Sequence, residues 1–397
     1  MSFYNSIPLL PNDPILGLPL IYAADSRKNK VNLGIGAYKT AEGLPLVLNC
    51  VKKAETIILQ KHYNKEYLPI DGHKELIEDT LQLIFGKDLA QIGCDRLYAA
   101  QTIGGSGALR TAGEFFSKLI GRNIFLPQPT WPNHKSIFEK SNLNVGSYPY
   151  FNTHDNSLDF KGMCQAISNL PPCSSILLHA CCHNPTGVDP TIEQWRELSD
   201  LIKKKKIFPL FDCAYQGFGA NLEEDVQSIR TFALDGHEMM IAYSFAKNFG
   251  LYGERVGVLT IMTNNRESIP KIGSQIRTLI RGNYSSPPLH GARIVSTILK
   301  SRELTTDWVT ELENMCGRIK EMRKALVAAL LVKGKGKNFN SILKQMGLFS
   351  FIGLTKEQVD KIRDEYAIYT PSNGRINLAG LNTLNIEYVA DALLSVL

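Results

Sequence analysis

The composition of this 397-residue chain is that of an ordinary globular protein, with 44% hydrophobic residues, 21% charged residues and a formal net charge of +6. This balance excludes a disordered low-complexity protein, and the length predicts one large domain with a smaller companion. The one dense basic run, residues 203–206, is typical of the solvated end of a helix, so we expect no nucleic-acid partner. No apolar run is long enough to predict a membrane span.

The cysteine pattern favours reduced thiols and a cytoplasmic protein. Eight cysteines are scattered without a Cys-x-x-Cys pair, and the first residues lack the arginine-rich amphipathic pattern of a transit peptide. Residues 179–183 contain two histidines and two cysteines, which are common zinc ligands. In an extended strand, however, adjacent side chains point to opposite faces, so we expect core packing here and no metal.

Short apolar runs alternate with helix-like stretches between about residues 97 and 260, a pattern typical of a mainly parallel sheet covered by helices. The candidate strands are residues 123–126, 175–180, 207–211, 239–243 and 256–260, the last a candidate antiparallel strand. Residues 191–206 predict a helix with Thr191 as its N-cap. Because ligands collect at the carboxyl ends of parallel strands, the residues that follow these runs are the first site candidates.

The C-terminal part of the chain predicts a small α+β domain. A helical pattern extends from about residue 290 to 331, and the Gly/Lys-rich residues 333–337 interrupt it as a surface loop. Beyond the loop, residues 348–352 are strand-like and residues 355–366 are helix-like. The fold class is therefore α/β, with a mainly parallel sheet in the large domain and a smaller α+β domain.

A single lysine, Lys247, lies among apolar residues just after the strand-like run 239–243. Burial at a strand end disfavours the charged amine, which makes Lys247 a candidate nucleophile that can form an imine with a carbonyl. Ser244 and Arg255, on either side of it, are candidate phosphate ligands. A single lysine in such a turn is by default solvated. Whether Lys247 is functional therefore depends on the other motifs.

A glycine-rich turn at residues 104–107 follows a strand-like segment and opens a predicted helix. Free backbone N–H groups and the positive end of the helix dipole can hold a phosphate there, and Ser106 adds a hydroxyl. The turn lacks the spacing of both the P-loop and the dinucleotide fingerprint. Taken alone, it is equally compatible with a nucleotide site or a tight turn.

Asp212 directly follows the apolar run 207–211, where a carboxylate is costly without a cationic partner. A protonated ring nitrogen of a cofactor is one such partner. A helix N-cap is the alternative, and it explains Asp212 equally well when the residue is considered alone. The motif Asn184-Pro185-Thr186-Gly187 supplies a further polar side chain after another predicted strand.

Together these motifs resemble those of the class I aminotransferases that depend on pyridoxal phosphate, and in detail their aspartate aminotransferase branch. The resemblance runs from Leu33 to Gly380, with Asn184, Asp212 and Lys247 in the family's order. It implies a fold-type I transferase with pyridoxal 5'-phosphate as cofactor. It also implies a homodimer with active sites shared between subunits, a large domain of residues 47–315, and a small domain of residues 1–46 and 316–397.

The resemblance implies a role for each site residue. Those at the cofactor are Gly105, Ser106, Ser244 and Arg255 at the phosphate, Tyr67 reaching the phosphate from the neighbouring subunit, Trp131 stacked on the ring, Asp212 at the ring nitrogen with His134 orienting it, Asn184 and Tyr215 at the phenolic oxygen, and Lys247 as the attachment point and base. The catalytic residues are thus Lys247, Asp212 and Tyr215. Gly104 and Ala246 replace serines common in the family, which predicts fewer hydroxyls around the phosphate.

Two arginines are implied to bind the substrate. Arg375 matches the clamp on the α-carboxylate, and Arg281 matches an arginine that reaches a side-chain carboxylate from the neighbouring subunit. Gly36 permits a close backbone approach to the substrate, which Trp131 and Asn184 also contact. Without the resemblance, each arginine reads as an ordinary surface residue.

The implied reaction is reversible amino transfer from L-aspartate to 2-oxoglutarate, giving oxaloacetate and L-glutamate by a ping-pong mechanism. Three alternatives stay open at this point. The first is an aromatic-amino-acid aminotransferase of the same family. The second keeps the cofactor in a lyase or decarboxylase, and the third is a non-enzymatic nucleotide-binding module built on residues 104–107.

Overall fold

The computed structural model describes residues 2–10, 13, 17–334 and 338–397. Its α-helices are α1 Leu18–Ala24, α2 Asn49–Gln60, α3 Lys74–Phe85, α4 Leu89–Ile92, α5 Gly104–Leu119, α6 Asn133–Lys140, α7 Phe160–Ser168, α8 Ile192–Lys204, α9 Gln227–Leu234, α10 Ile269–Tyr284, α11 His290–Leu299, α12 Arg302–Lys333, α13 Lys356–Tyr366 and α14 Ile386–Leu394. None of these helices in the described ranges has the length and hydropathy needed to span a membrane.

The strands form one large sheet and three small ones. They are β1 Val31–Asn32, β2 Leu97–Ile103, β3 Asn123–Gln128, β4 Asn144–Pro149, β5 Phe151–Asn152, β6 Ser157–Leu158, β7 Ser175–His179, β8 Phe208–Cys213, β9 Met239–Ser244, β10 Val256–Met262, β11 Phe349–Phe351, β12 Ile368–Tyr369 and β13 Arg375–Asn377.

The large sheet has seven strands in the order β2-β10-β9-β8-β7-β3-β4. Strand β10 is antiparallel to both of its neighbours, and the remaining pairs are parallel. The predicted mainly parallel sheet and its antiparallel strand are therefore confirmed. The central strands read as continuous apolar runs because helices cover both faces, and every residue of β7, β9 and β10 is buried.

Helix α8 begins where the sequence predicts, because Thr191 and Gln194 form a reciprocal capping box. The long helix expected over residues 290–331 is wrong in one respect, since it is two helices. Ser301 separates them: its backbone is extended, and its hydroxyl accepts the N–H of Leu304 to start α12. Of the expected loop at residues 333–337, residues 335–337 lie outside the described residues.

The N-terminal and C-terminal segments pair with each other. Strand β1 is parallel to β12, and β11 is antiparallel to β13. The N–H of Asn377 donates to the carbonyl of Leu33 over 2.8 Å, and the Asn377 side chain donates to the carbonyl of Ala37 over 2.9 Å. These bonds bring the segment around Gly36 next to β13, and thus next to Arg375.

The segment 179–183 differs from the expected strand. Strand β7 ends at His179, and Cys182 has a left-handed backbone with a φ of 51°. The two histidines face each other with ring centroids 4.3 Å apart, whereas the two cysteines lie near Asp225. The four side chains are buried and do not converge on one point, as predicted, but the reason is a loop that separates them into two pairs.

Candidate active site

A cleft of about 310 Å³ opens at the carboxyl ends of β2, β7, β8 and β9. Most of the residues predicted for the site line it together: Gly36, Gly105, Ser106, Trp131, Asn184, Asp212, Tyr215, Ser244, Lys247, Arg255 and Arg375. They come from sequence positions more than three hundred residues apart, from 36 to 375. The edge of the parallel sheet is what brings them to one place.

One end of the cleft is suited to an anion. Helix α5 starts there, and its N-cap, Ile103, has no side chain that could satisfy the first backbone N–H groups. Gly104 has a φ of 72°, and a Cβ atom on it would lie 2.6 Å from Nη2 of Arg255. Glycine therefore permits Arg255 to lie against the helix start, and the hydroxyl-bearing Ser106 and Ser244 line the same end.

Lys247 lies three residues beyond β9, on the wall of the cleft. Its Nζ atom is 5.4 Å from the centre of the Tyr215 ring. Burial lowers the pKa of Lys247 to about 8, with Arg255 and Arg375 adding to the shift and Asp212 opposing it. A substantial fraction of the amine is therefore neutral near physiological pH, as a nucleophile or a base requires.

A chain of hydrogen bonds runs behind the cleft and ends at Asp212. The N–H of Asn184 donates to Nδ1 of His179 over 3.4 Å, so His179 carries its proton on Nε2 and donates to Oγ1 of Thr130 over 3.2 Å. The Thr130 hydroxyl then donates to Nδ1 of His134 over 2.8 Å, which leaves Nε2–H of His134 to donate to Oδ2 of Asp212 over 3.0 Å. Each ring nitrogen of His179 and His134 thus acts as either a hydrogen-bond donor or an acceptor.

This series of hydrogen bonds keeps Asp212 in its ionised form. Burial works against the charged carboxylate, but the hydrogen bond from His134, with a smaller effect from the charge of Lys247, leaves the pKa of Asp212 below its usual value. Burial lowers the pKa of His179 to about 3, which agrees with a neutral ring that accepts the Asn184 N–H. Asp212 can therefore pair with a protonated nitrogen in the cleft.

Arg375 and Asn184 are joined across the opposite side of the cleft. Nη1 of Arg375 donates to Oδ1 of Asn184 over 3.1 Å, and Nη2 donates to the carbonyl of Gly34 over 2.6 Å. The guanidinium carbon lies 4.0 Å from the centre of the Phe349 ring. Among the described residues, the buried Nε of Arg375 has no hydrogen-bond partner. A carboxylate in the cleft would supply that partner.

Aromatic side chains and backbone atoms form the remaining walls of the cleft. The Trp131 ring is half-buried and meets His134 edge-on at 5.1 Å, and burial raises the pKa of Tyr215. A Cβ atom on Gly36 would lie 3.3 Å from the Phe349 ring, so glycine keeps this wall close to Phe349. The cleft therefore offers flat surfaces for a ring between its anion-binding end and Arg375.

Apart from His134, which lies behind the cleft, Tyr67 and Arg281 are the predicted site residues that do not line it. They share a second, more open cleft of about 360 Å³ with Ser285 and Ser286. Tyr67 is 84% exposed, and Arg281 is exposed and donates to the hydroxyl of Ser285. Their expected contact with the site of a neighbouring subunit stays a prediction.

The sequence interpretation missed three residues of the site. His179 and Thr130 belong to the hydrogen-bond chain, and Tyr252 lines the cleft while its hydroxyl accepts the N–H of Tyr38 over 2.8 Å. Tyr252 lies five residues after Lys247 in the same run, so this proximity was an available signal. The roles of His179 and Thr130 depend on contacts between distant segments, which leave no local pattern.

Comparison with known proteins identifies the family of this chain. Residues 28–393 match the sequence profile of the family described as aminotransferase class I and II. The chain therefore belongs to the class I and II aminotransferases, and the family expected from the sequence is confirmed.

Individual relatives match over nearly their whole length. The chain is similar to an aspartate aminotransferase of Escherichia coli strain K12, with 44% identity over 99% of this chain and 100% of the relative. Among solved structures, it is similar to the aspartate aminotransferase from Saccharomyces cerevisiae cytoplasm, with a TM-score of 0.95 and 41% identity over 99% of this chain and 98% of that one.

A third relative is the aromatic-amino-acid aminotransferase of Burkholderia pseudomallei. Its structure, described as covalently bound to pyridoxal phosphate, matches with a TM-score of 0.96 and 41% identity over 100% of both chains. These similarities confirm the predicted fold class of a pyridoxal-phosphate-dependent transferase.

Proposed function

We propose that this protein is an aspartate aminotransferase that uses pyridoxal 5'-phosphate to transfer the amino group of L-aspartate to 2-oxoglutarate. The observation that carries the proposal is the one cleft that Lys247, Asp212 and Arg375 line together. Relatives named aspartate aminotransferase, at 42–45% identity over nearly the full chain, support the same substrate.

The residues present fit this cofactor. An uncapped helix start with Arg255 and two serines suits its phosphate, and ionised Asp212 suits its ring nitrogen. When bound, pyridoxal phosphate supplies a conjugated ring that withdraws electrons from the substrate's α-carbon. Trp131 is assigned to stack on that ring, with Asn184 and Tyr215 as hydrogen-bonding partners of its phenolic oxygen.

Lys247 acts first as the attachment point and then as the base. Its lowered pKa allows the neutral amine to accept a proton at Nζ from the substrate's α-carbon and to deliver it to a neighbouring carbon. Asp212, kept ionised by His134, holds a proton on the ring nitrogen throughout. Both roles use groups that the fold positions before substrate arrives.

Arg375 binds the α-carboxylate that amino-acid and keto-acid substrates share. Arg281 is proposed to select a second carboxylate from the neighbouring subunit of a homodimer, and Tyr67 to contact the cofactor phosphate across the same interface. The exposure of both residues and their shared cleft support this assignment. Specificity for dicarboxylic substrates would then depend on dimer formation.

We further propose that residues 47–315 form the large domain and that residues 1–46 and 316–397 form the small one. The pairing of β1 with β12 supports a small domain made from both ends of the chain. The boundary at 315/316 falls within α12, so this helix connects the two domains. Eight free cysteines support a cytoplasmic location, as does a cytoplasmic relative in yeast.

The direct test is amino transfer by the purified protein loaded with pyridoxal phosphate. We expect oxaloacetate to form from L-aspartate in proportion to L-glutamate formed from 2-oxoglutarate. Release of ammonia or carbon dioxide without glutamate would instead indicate a lyase or a decarboxylase. Protein that shows no aspartate-dependent glutamate formation in this assay would refute the proposal.

Activity toward aromatic amino acids is the second candidate function. The observation in its favour is the Burkholderia pseudomallei relative, whose structure matches with a TM-score of 0.96. Comparing kcat/KM for L-aspartate and L-phenylalanine with the same acceptor separates the two. A ratio that favours phenylalanine would make aromatic transamination the main activity.

A further inference from the structure

Two adjacent thiols lie on the same side of the chain just after β7. In an extended strand the side chains of Cys181 and Cys182 would point apart, but the left-handed backbone of Cys182 turns them together. One ligand atom from each cysteine and one from Asp225 lie within 4.8 Å of one another. All three side chains are buried, and the catalytic cleft uses none of them.

The carboxylate of Asp225 is held in a fixed orientation. Oδ2 accepts the N–H groups of Gly217 and Gly219 over 2.8 and 2.9 Å, and Oδ1 accepts the N–H of Ala220 over 2.8 Å. An ionised carboxylate has about four lone-pair positions, so three such bonds leave one free. Hydrogen bonds of this kind are typical of carboxylates that bind metals, because they fix the ligand before the ion arrives.

The surroundings favour a cation. Asp189 is a second carboxyl group next to this pair, and it accepts the N–H groups of Cys182 and His183 over 2.6 and 2.8 Å. Among the described residues, neither Asp189 nor Asp225 has a lysine or arginine within ion-pair distance. A bound cation would offset the negative charge of these buried carboxylates.

An ion can reach the cluster without crossing the active site. A cleft of about 420 Å³ is lined by Cys181, Asp225, Glu224 and Met346, and it shares no described lining residue with the catalytic cleft. The exposed Glu224 stands at its edge. The cleft therefore leaves room for a water molecule or an exchangeable ligand in a fourth coordination position.

We propose that Cys181, Cys182 and Asp225 bind one thiophilic divalent cation of the Zn²⁺ or Cd²⁺ type. Both thiols lose their protons to solvent as the two metal–sulfur bonds form, and the carboxylate completes the protein's ligand set. Two thiolates and one carboxylate around a divalent ion leave one negative charge. The buried guanidinium of Arg323, which donates to the carbonyls of Gly347 and Phe349, lies close enough to Cys182 to offset it.

The test uses Cd²⁺ as the probe on the cofactor-loaded protein, kept reduced with a phosphine. The exposed thiols are first removed in a Cys94→Ser, Cys173→Ser background. In this background we expect one equivalent of Cd²⁺ per chain to produce the ultraviolet charge-transfer band of a cadmium thiolate. Zn²⁺ should compete for it.

Variants then locate the ion. Cys181→Ala and Cys182→Ala should each weaken Cd²⁺ binding by at least about 100-fold. Cys50→Ala is the matched control, a buried thiol far along the chain, and it should bind as tightly as the background protein. Unchanged binding in both site variants, or equal loss in Cys50→Ala, would overturn the proposal.

A second measurement does not depend on the variants folding. X-ray absorption of the cadmium-loaded background protein should show two sulfur neighbours, with oxygen in the other positions. A stoichiometry near zero, or a shell with no sulfur or with three or more sulfurs, would contradict this set of ligands. Neither measurement depends on amino transfer, so both test the metal site independently of the proposed reaction.

Discussion

Nη1 of Arg375 donates a hydrogen bond to Oδ1 of Asn184 over 3.1 Å, and both buried residues line the catalytic cleft. The bond ties a residue of β13, in the C-terminal part of the chain, to the loop after β7 of the large sheet. It holds the guanidinium so that its unpaired Nε remains for a ligand. The group that we propose to bind substrate is thus oriented by a residue that we propose to bind the cofactor, before substrate enters.

Replacing Arg375 by lysine should weaken binding of both substrates. Lysine keeps the charge but cannot make two parallel hydrogen bonds to a carboxylate, so we expect kcat/KM for aspartate and for 2-oxoglutarate to fall by about 10- to 100-fold. Steady-state kinetics with each substrate measures the effect. Arg302→Lys, at the exposed start of α12, is the control and should keep wild-type kinetics. A loss limited to one substrate would argue against a role at their shared α-carboxylate.

Replacing His134 by asparagine should move the acidic limb of the pH profile. His134 helps to keep the pKa of Asp212 below its usual value, so its removal raises that pKa. In the proposed mechanism activity needs the ionised carboxylate of Asp212 and is lost as pH falls through its pKa, so the loss should begin at a higher pH in the variant. The pH dependence of kcat/KM tests this. His154→Asn, on an exposed loop, should leave the profile unchanged, and an unshifted acidic limb in His134→Asn would refute the argument.

Lys247→Met should remove turnover and stabilise the cofactor-free protein. Loss of the base alone should lower kcat by about 10²- to 10⁴-fold, and loss of the attachment point should lower it further. The amine is also a cost to folding, since burial lowers its pKa from 10.5 to about 8. Below pH 8 the folded protein therefore carries an unfavourable buried charge, which methionine removes.

Thermal unfolding at several pH values checks this second effect. The unfolded chain binds more protons than the folded one between the two pKa values, so wild-type stability gains from rising pH over that interval. The excess Tm of Lys247→Met should be constant below pH 8 and shrink between about pH 8 and 10.5. An excess that grows with pH, or a less stable variant, would contradict a strained buried amine.

Local patterns marked Asp212 and Lys247 as candidates, because a charged residue at the end of an apolar strand is costly, but their roles came from the resemblance to the aminotransferase family. They also predicted the capping of α8, whose start depends on residues three positions apart. The antiparallel β10 was a correct expectation as well. Each of these features depends on the sequence of a few neighbouring residues.

The features that were missed depend on long-range register or on a single backbone angle. The bond between Thr130 and His179 joins residues 49 positions apart and forms only because β3 lies beside β7. The split of the segment 179–183 follows from the left-handed Cys182, for which cysteine gives no local signal. Neither can be read from hydrophobic periodicity.

Gly104→Ala should weaken binding of the cofactor through its phosphate. The glycine has a φ of 72°, and an added Cβ would lie 2.6 Å from Nη2 of Arg255, so the guanidinium must move or the helix start must distort. We expect the dissociation constant for pyridoxal phosphate to rise about 10-fold and stability to fall by about 1–3 kcal/mol. Equilibrium titration and thermal unfolding measure the two. Gly253→Ala has open space around its Cβ and is the matched control, which should change neither quantity.

Mixing two inactive variants should restore activity if subunits share their sites. Arg281→Leu and Lys247→Ala each disable both sites of a homodimer in the proposed arrangement, the first for dicarboxylic substrates. A heterodimer of the two has one site with Lys247 from one chain and Arg281 from the other, both intact. Random exchange makes half the dimers heterodimers with one working site of two, so activity should recover to about a quarter of the wild-type value. Native mass spectrometry verifies the exchange, and the absence of recovery despite heterodimers would place Arg281 outside the partner's site.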